Sequence, residues 1–425
     1  MTTTLKYYFN RITKTKALFV IFLLGFSSGL PVALAGGALQ AWFTEAGLSL
    51  KTIGAASLLA LPHTLRVLWA MLFDHYKIPG FDRRRGWLFV TQIGLVLSIV
   101  TMAFMTPLQS FHMAGLMIPW MFVSGLILMF FSTSQDIVIN AYQIEVLSKE
   151  EQGLGASLYV MGWRIGVIIS GGLSLVLAQF YGWHTTYLLM ALLMGVGIFA
   201  TVIAPHSPDK MISGKNLMEA VVIPFLEFFQ RYQFKTALIF LLLIMTYKMG
   251  DAFALNLNST FLLRHIGFDL ATVGLVNKTV SFAGSVLGGI TAGVLMLRLS
   301  LYRALMIFGL IQGVANLGYA IMAYVGKSVI LLVAVAFTEN FCSGLGTIAI
   351  MALMMRLSHM KFTATQYALL SGLIFIPQTF AGPIVAAMVE SIGWGLFFVW
   401  CFILSLPTLL FVYANKNVIL QMKKE

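Results

Sequence analysis

Residues 73–86 read FDHYKIPGFDRRRG, a polar interval between two long apolar runs. It places Asp74 at the end of one run and the cluster Arg83, Arg84 and Arg85 at the start of the next. Three consecutive arginines are costly in hydrocarbon, so the interval is a loop and the flanking runs are the elements that it joins. Each run has about 20 mostly apolar residues, the length an α-helix needs to cross roughly 30 Å of hydrocarbon.

Working outward from this loop, the same reading gives six spans over 17–42, 52–73, 87–106, 113–143, 154–180 and 184–204. Six more follow over 236–262, 271–297, 302–324, 328–355, 363–388 and 393–415. The longest polar interval lies between the two sets and carries His206, Pro208, Asp209, Lys210 and Lys215. The sequence therefore predicts an all-α membrane protein of twelve transmembrane helices: a six-helix half over 1–204, a cytoplasmic linker over 205–235 and a second six-helix half over 236–425.

Composition supports this and narrows the alternatives. Of 425 residues, 59% are hydrophobic and 10% charged, more apolar surface than one soluble core can bury. The net charge of +12 does not point to nucleic acid, because the cations punctuate the gaps between apolar runs instead of sharing a face. With the N-terminus inside, 20 of the 27 Lys and Arg residues fall in inside segments, and the outside loops hold Lys51, Arg264 and Lys327. Inside loops carry the cationic excess, so both termini are expected in the cytoplasm. The basic start before Ala17 resembles a signal peptide, but the interruption GFSSGLP over 25–31 and the many later spans read as a first helix. Cys342 and Cys401 lie in apolar runs and read as packing residues, with no disulfide framework or metal site.

The remaining charges fall inside spans: Arg66, Asp136, Arg164, Lys248, Asp251, Lys278 and Glu339. Each costs at least about 2.5 kcal/mol at a helix centre, so such residues face a cavity or a partner. Asp136 follows Ser132, Thr133, Ser134 and Gln135, a polar stripe on the fourth span, and Arg164 at similar depth on the fifth is its expected counter-ion. Lys248 and Asp251 are three residues apart, on one helical face. For Asp136, Asp251 and Glu339 two readings stand side by side: structural ion pairs inside the bundle, or proton-binding groups whose affinity burial and nearby cations tune. Arg66 either snorkels to an interface or meets substrate, and His63 beside it is a candidate proton relay. Gly25, Gly29, Pro31, Gly36 and Gly37 make the first span closely packed or broken.

No phosphate-cradling loop, zinc-protease motif or nucleophile elbow is present, so the chain does not read as an enzyme. Without a nucleotide-binding motif, no cofactor is expected and an ion gradient is left as the driving force.

Asp74 followed by Arg83, Arg84 and Arg85 resembles the cytoplasmic loop signature of the major facilitator superfamily, in which such groups latch helix ends together as a gate. The arginines also obey the positive-inside rule, which alone accounts for them. The stretches GFSSGLP (25–31), SQDIVI (134–139), YKMGDAF (247–253), VGLVNKT (273–279) and FTATQYA (362–368), at matching spacing, resemble AmpG-type muropeptide permeases over about 17–410. The resemblance implies the major facilitator fold and proton-driven import of N-acetylglucosaminyl-anhydro-N-acetylmuramyl peptides across the bacterial inner membrane for peptidoglycan recycling. It implies a small-molecule substrate and protons as partners, in a monomer surrounded by lipid.

On that resemblance Asp136, Asp251 and Glu339 are candidates for proton coupling. Arg164, Lys248, Lys278, Asn140, Gln143 and Gln378 are candidates for substrate binding. The last three are departures: the family pattern has Asp-Ala-Tyr-Arg where this chain has Asn140-Ala141-Tyr142-Gln143, and Gly-Arg where it has Pro377-Gln378. An amide cannot supply the charge or the bidentate fork of a guanidinium, so cargo selection is retuned. The alternative cargo is another polar anion, such as a ferric carboxylate siderophore. A non-transporting receptor would not need charges buried in both halves.

Overall fold

The computed structural model describes residues 16–70, 72–113, 116–147, 151–207, 223–358 and 363–421. They are mostly helical, as lipid demands, since a helix satisfies its backbone N–H and C=O groups internally. Among them, nine helices are long and apolar enough to cross a membrane. Two of these lose helical geometry at a glycine of positive φ, Gly182 and Gly393 (both φ 75°), where the sequence places its boundaries 180–184 and 388–393.

The first span is α1 (Lys16–Ala33), a π-helical turn over Leu34–Ala38 with Gly36 out of helical geometry, then α2 (Leu39–Glu45). The second departs from expectation. Instead of one helix over 52–73 it is α3 (Leu50–Ala55), a 3₁₀ turn over Ala56–Ala60, α4 (Leu61–Leu65) and the one-turn pieces Val67–Ala70 and Leu72–His75. Pro62 in the first turn of α4 donates no N–H to the turn before it, which favours the break there. Asp82 caps α5 (Arg83–Phe104) by accepting from the Arg85 N–H at 2.8 Å.

A hairpin of β1 (Ser110–Met113) and β2 (Leu116–Pro119), in register Ser110↔Pro119, occupies the start expected for the fourth span. That span's helix, α6, runs over Trp120–Val146. Then come α7 (Gln152–Ile168), a π-helical turn and α8 (Ser174–Ile203). Of the linker expected over 205–235, residues 208–222 lie outside the described residues, and 223–235 are already helical as the start of α9 (Ile223–Tyr247). The elements used below are α10 (Met249–Ala254), α11 (Lys278–Leu295), α12 (Leu301–Ala315), α13 (Leu317–Val325), α14 (Val329–Leu357) and α15 (Thr363–Ala414).

The chain divides into two compact units. The first holds Met1–Leu48 and Leu59–Ser213; the second holds Ser49–Leu58 and Gly214–Glu425. Residues 49–58, read from sequence as part of the N-terminal half, thus pack with the second unit.

In the first unit α1 crosses α7 on glycines. A Cβ on Gly25 or Gly29 would collide with the backbone oxygen of Tyr159 or Trp163, and one on Gly162 or Gly166 with that of Phe22 or Phe26. Without a hydrophobic force between helices in lipid, such backbone approach is what holds them. A core of Leu18, Ile21, Leu24, Val138, Ile139 and Tyr142 continues from it.

In the second unit Gly284 and Gly288 of α11 meet the backbone of Phe337 and Phe341 on α14 in the same way. There α3 lies on α15: Gly54 and Gly382 approach oxygen to α-carbon, and Ser57 Oγ donates to Thr379 O at 2.7 Å.

Candidate functional site

In the first unit the polar stripe on α6 meets groups from three other helices. Ser28 Oγ on α1 donates to Asp136 Oδ1 at 2.5 Å and lies 2.9 Å from Tyr159 Oη on α7. Tyr159 also hydrogen-bonds to Asp136, so the two hydroxyls and the carboxyl form one cluster. From α4, His63 brings Nε2 to 3.6 Å from Asp136 Oδ2 while its Nδ1 meets Thr133 Oγ1. In the tautomer in which Thr133 donates to Nδ1, the ring proton is on Nε2 and faces the carboxylate. Trp69 Nε1 donates to Ser134 Oγ at 3.1 Å. Asp136 is therefore a carboxylate with a hydroxyl relay on one oxygen and an imidazole on the other, the groups a proton site needs.

Arg164, expected as the counter-ion, is not among these contacts of Asp136. It stands five residues beyond Tyr159 on α7, which at 3.6 residues per turn turns it about 140° from the face that meets Ser28. The imidazole of His63 faces the carboxylate, and Arg66 lies within electrostatic range of it. His63 is 73 positions from Asp136 in sequence, so only the break before α4 could have hinted at its role.

In the second unit Lys248 sits at the break between α9 and α10, where its ammonium is fully used. Its three protons are shared among four oxygens: Asp251 Oδ2 at 3.1 Å, Gln312 Oε1 at 3.1 Å, Ser343 O at 2.8 Å and Ser343 Oγ at 2.9 Å. Three helical faces thus converge on one cation: α10, α12 and α14. Glu339 lies one turn from Ser343 and is 1% exposed, and neither of its carboxyl oxygens has a hydrogen-bond partner among the described residues. Asp251 Oδ1 and both side-chain atoms of Asn316 are likewise buried without partners. Asp251 and Lys248 lie within electrostatic range of Glu339.

The arginine cluster forms a third constellation, inside the first unit. Arg84, 1% exposed, donates through Nε and Nη2 to Glu145 Oε1 at 2.9 and 2.6 Å and through Nη1 to Phe73 O at 3.2 Å. Arg83 Nη2 reaches the same Glu145 oxygen at 3.1 Å, and Ser207 Oγ donates to the other. Arg85 donates to Thr201 O and Val202 O at the end of α8. The cluster ties α5, α6 and the end of α8 together. Sequence reading missed Glu145, which looks like one more charge at a loop.

The other expected residues are scattered. Asn140 and Gln378 are exposed, and the Gln378 carbonyl accepts from Asn256 Nδ2 at 3.2 Å. Gln143 is half-buried, with Nε2 lacking a partner. Arg164 is half-buried. The side chains of Asp74 and Lys278 lie outside the described residues.

Long apolar helices, glycine crossings and charges paired inside two units define a polytopic membrane transporter, and the comparisons with known proteins agree. The chain belongs to the Major Facilitator Superfamily, whose family profile matches residues 21–376. An anhydromuropeptide permease of Escherichia coli (strain K12) is 43% identical over 401 residues, which cover 94% of this chain and 80% of that protein. An uncharacterized protein of Haemophilus influenzae is 35% identical over 408 residues, 94% of each chain. In fold alone, a mutant of the nucleoside transporter NupG matches with TM-score 0.70 at 16% identity, covering 96% of this chain and all of that one (100%). A mutant peptide transporter POT in complex with alafosfalin matches at 0.69 and 15%, covering 96% of each.

Proposed function

We propose that this protein imports anhydromuropeptides, N-acetylglucosaminyl-anhydro-N-acetylmuramyl peptides, across the bacterial inner membrane in symport with protons. The cargo rests on the likeness to the Escherichia coli permease over nearly the whole chain. The coupling rests on one observation: Asp136 inside a span, held by Ser28 and faced by the His63 imidazole. A carboxylate so placed takes a proton when the site faces the periplasm and loses it when the site opens to the cytoplasm, with His63 and the Tyr159–Ser28 relay as neighbours through which it exchanges. Asp251 and Glu339 are second-unit candidates for the same work, and Lys248 organises them. The charge asymmetry of the loops supports cytoplasmic termini and a cytoplasmic Arg83–Arg85 cluster. No cofactor is required; the proton gradient drives a single chain in lipid.

The test is uptake into proteoliposomes. Labelled anhydromuropeptide accumulates under an inward pH gradient, a protonophore collapses the accumulation, and Asp136→Asn abolishes it with normal membrane expression. Gradient-independent accumulation, or full uptake by the variant, refutes the coupling.

A second reading changes only the cargo. Asn140, Gln143 and Gln378 stand where the family pattern carries one carboxylate and two guanidinium groups, which favours a differently charged anion such as a ferric carboxylate siderophore. Competition between that siderophore and anhydromuropeptide decides between them.

A further inference from the structure

A file of amides and hydroxyls runs through the first unit from Ser27 and Gln135, the chain neighbours of Ser28 and Asp136, to the surface. Ser27, next to the Ser28 that holds Asp136, is fully buried and donates to Gln135 Oε1 at 3.2 Å. Gly197 on α8 admits Ser27 Oγ into the place of a side chain, and Gln92 Nε2 of α5 stands 3.2 Å from the same point. Gln92 Oε1 accepts from Thr201 Oγ1 at 2.8 Å. Beyond it Arg85 Nε donates to Thr201 O at 3.3 Å, Arg85 pairs with Asp82 at 3.9 Å, and Asp82 Oδ2 meets His206 Nδ1 at 3.0 Å. The His206 side chain is 84% exposed, so the file ends in solvent.

Inside the file hydrogen bonding is incomplete. Among the described residues Gln92 Nε2, Gln135 Nε2 and Ser132 Oγ have no partner, and all three residues have 0% exposure. A buried amide or hydroxyl without a partner costs about 1–3 kcal/mol, and the usual remedy is an internal water. Amides cannot relay a proton themselves, whereas water and hydroxyls between them can.

We infer that this file holds ordered water and carries the proton released by Asp136 to the surface at Asp82 and His206. The inference rests on the coupling proposed above. The step is a plain proton transfer: the Asp136 carboxylic acid gives its proton to the adjacent hydroxyl or water, each carrier passes one on, and bulk water receives one at the end. Among the described residues the charged and titratable groups that face Asp136 include His63, Tyr159 and Arg66, and those at the exit include Arg85, Asp82 and His206. The exit arginine is offset by Asp82, so it does not wall off a passing cation. The path uses α1, α5, α6 and α8 of one unit only.

Two measurements test it. Radiolytic footprinting oxidises methionines beside bound water, and Met194 Sδ lies 3.8 Å from Ser27 Oγ. Met194 is fully buried, as are Met121 and Met190, which serve as dry references. Met194 is expected to oxidise faster than both and to lose that excess in Gln92→Leu; Met194 as inert as the references overturns the water file. In proteoliposomes, Gln92→Leu and Thr201→Val are expected to slow pH-driven uptake of anhydromuropeptide at least about tenfold. Exchange of labelled for unlabelled anhydromuropeptide at equal pH, which needs no net proton release, is expected to continue at the wild-type rate. Wild-type protein without pH-driven uptake overturns the coupling itself, whereas coupling at full rate in both variants, or equal loss of uptake and exchange, overturns the path alone.

Discussion

His63 Nε2 faces Asp136 Oδ2 at 3.6 Å, joining a residue on α4 to one on α6. Replacing the ring by an amide keeps a polar group at Thr133 and removes the group that exchanges a proton with the carboxylate. His63→Gln is therefore expected to express and to exchange substrate normally while pH-driven uptake falls by about tenfold or more. Normal driven uptake in the variant removes His63 from the coupling.

Lys248 is the hub of the second unit, and its removal leaves Asp251 buried with no cation. Breaking a buried pair from one side costs about 3–5 kcal/mol, while replacing both partners by apolar groups is far milder. Lys248→Met is expected to lower the thermal midpoint sharply, and the double variant Lys248→Met, Asp251→Leu to recover part of it. A double variant less stable than the single one contradicts the pairing.

Glu145 takes three hydrogen bonds from Arg83 and Arg84 and one from Ser207. Glu145→Ala removes the carboxylate that Arg83, Arg84 and Ser207 share and is expected to lower the thermal midpoint. Because Arg84 is shielded, raising salt should reproduce little of this loss, and thermal unfolding at low and high ionic strength checks it.

The crossing of α1 and α7 should tolerate nothing larger than glycine. Gly29→Leu forces the backbones apart and is expected to eliminate folded protein. Gly153→Ala, also on α7 but with nothing within 4 Å of the added methyl, should be neutral or stabilising by up to about 1 kcal/mol. Detergent-extracted yields of the two variants provide the contrast.

Asp269 lies in a loop and caps the next turn, accepting from Thr272 N at 3.2 Å and Thr272 Oγ1 at 2.5 Å. The hydrogen bonds from Thr272 hold its carboxyl below the usual range. A depressed folded-state value means that the cap contributes above the unfolded-state pKa and is lost as pH falls through the folded one. Asp269→Ala should cost about 1 kcal/mol at neutral pH and progressively less in acid.

The apolar runs were legible because hydrocarbon thickness imposes a length on them, and the interruptions at Gly182 and Gly393 fall at boundaries of predicted spans. The segmentation of the second span was not, since hydropathy averages over Ala56–Ala60 and Pro62 without registering a change of helix type. The hairpin over 110–119 was hidden for the same reason, its residues being as apolar as a helix end. At the sites, carboxylates inside spans announce themselves by their cost, so Asp136, Asp251 and Glu339 stood out. Their neighbours did not: His63, 73 positions from Asp136, has no signal of its own in a hydropathy trace. Lys248 with Asp251 was readable because both lie within one turn.

Residues 49–58 precede most of the first unit in the chain yet pack with the second. A gene split at the central linker would therefore not yield two self-contained proteins. The fragment beginning at Gly214 would lack Gly54 and Ser57, the covering of Gly382 on α15, and could regain it only from the other product. Fission of this gene could be tolerated only while both products are made in one cell, and neither half could be inherited or exchanged alone.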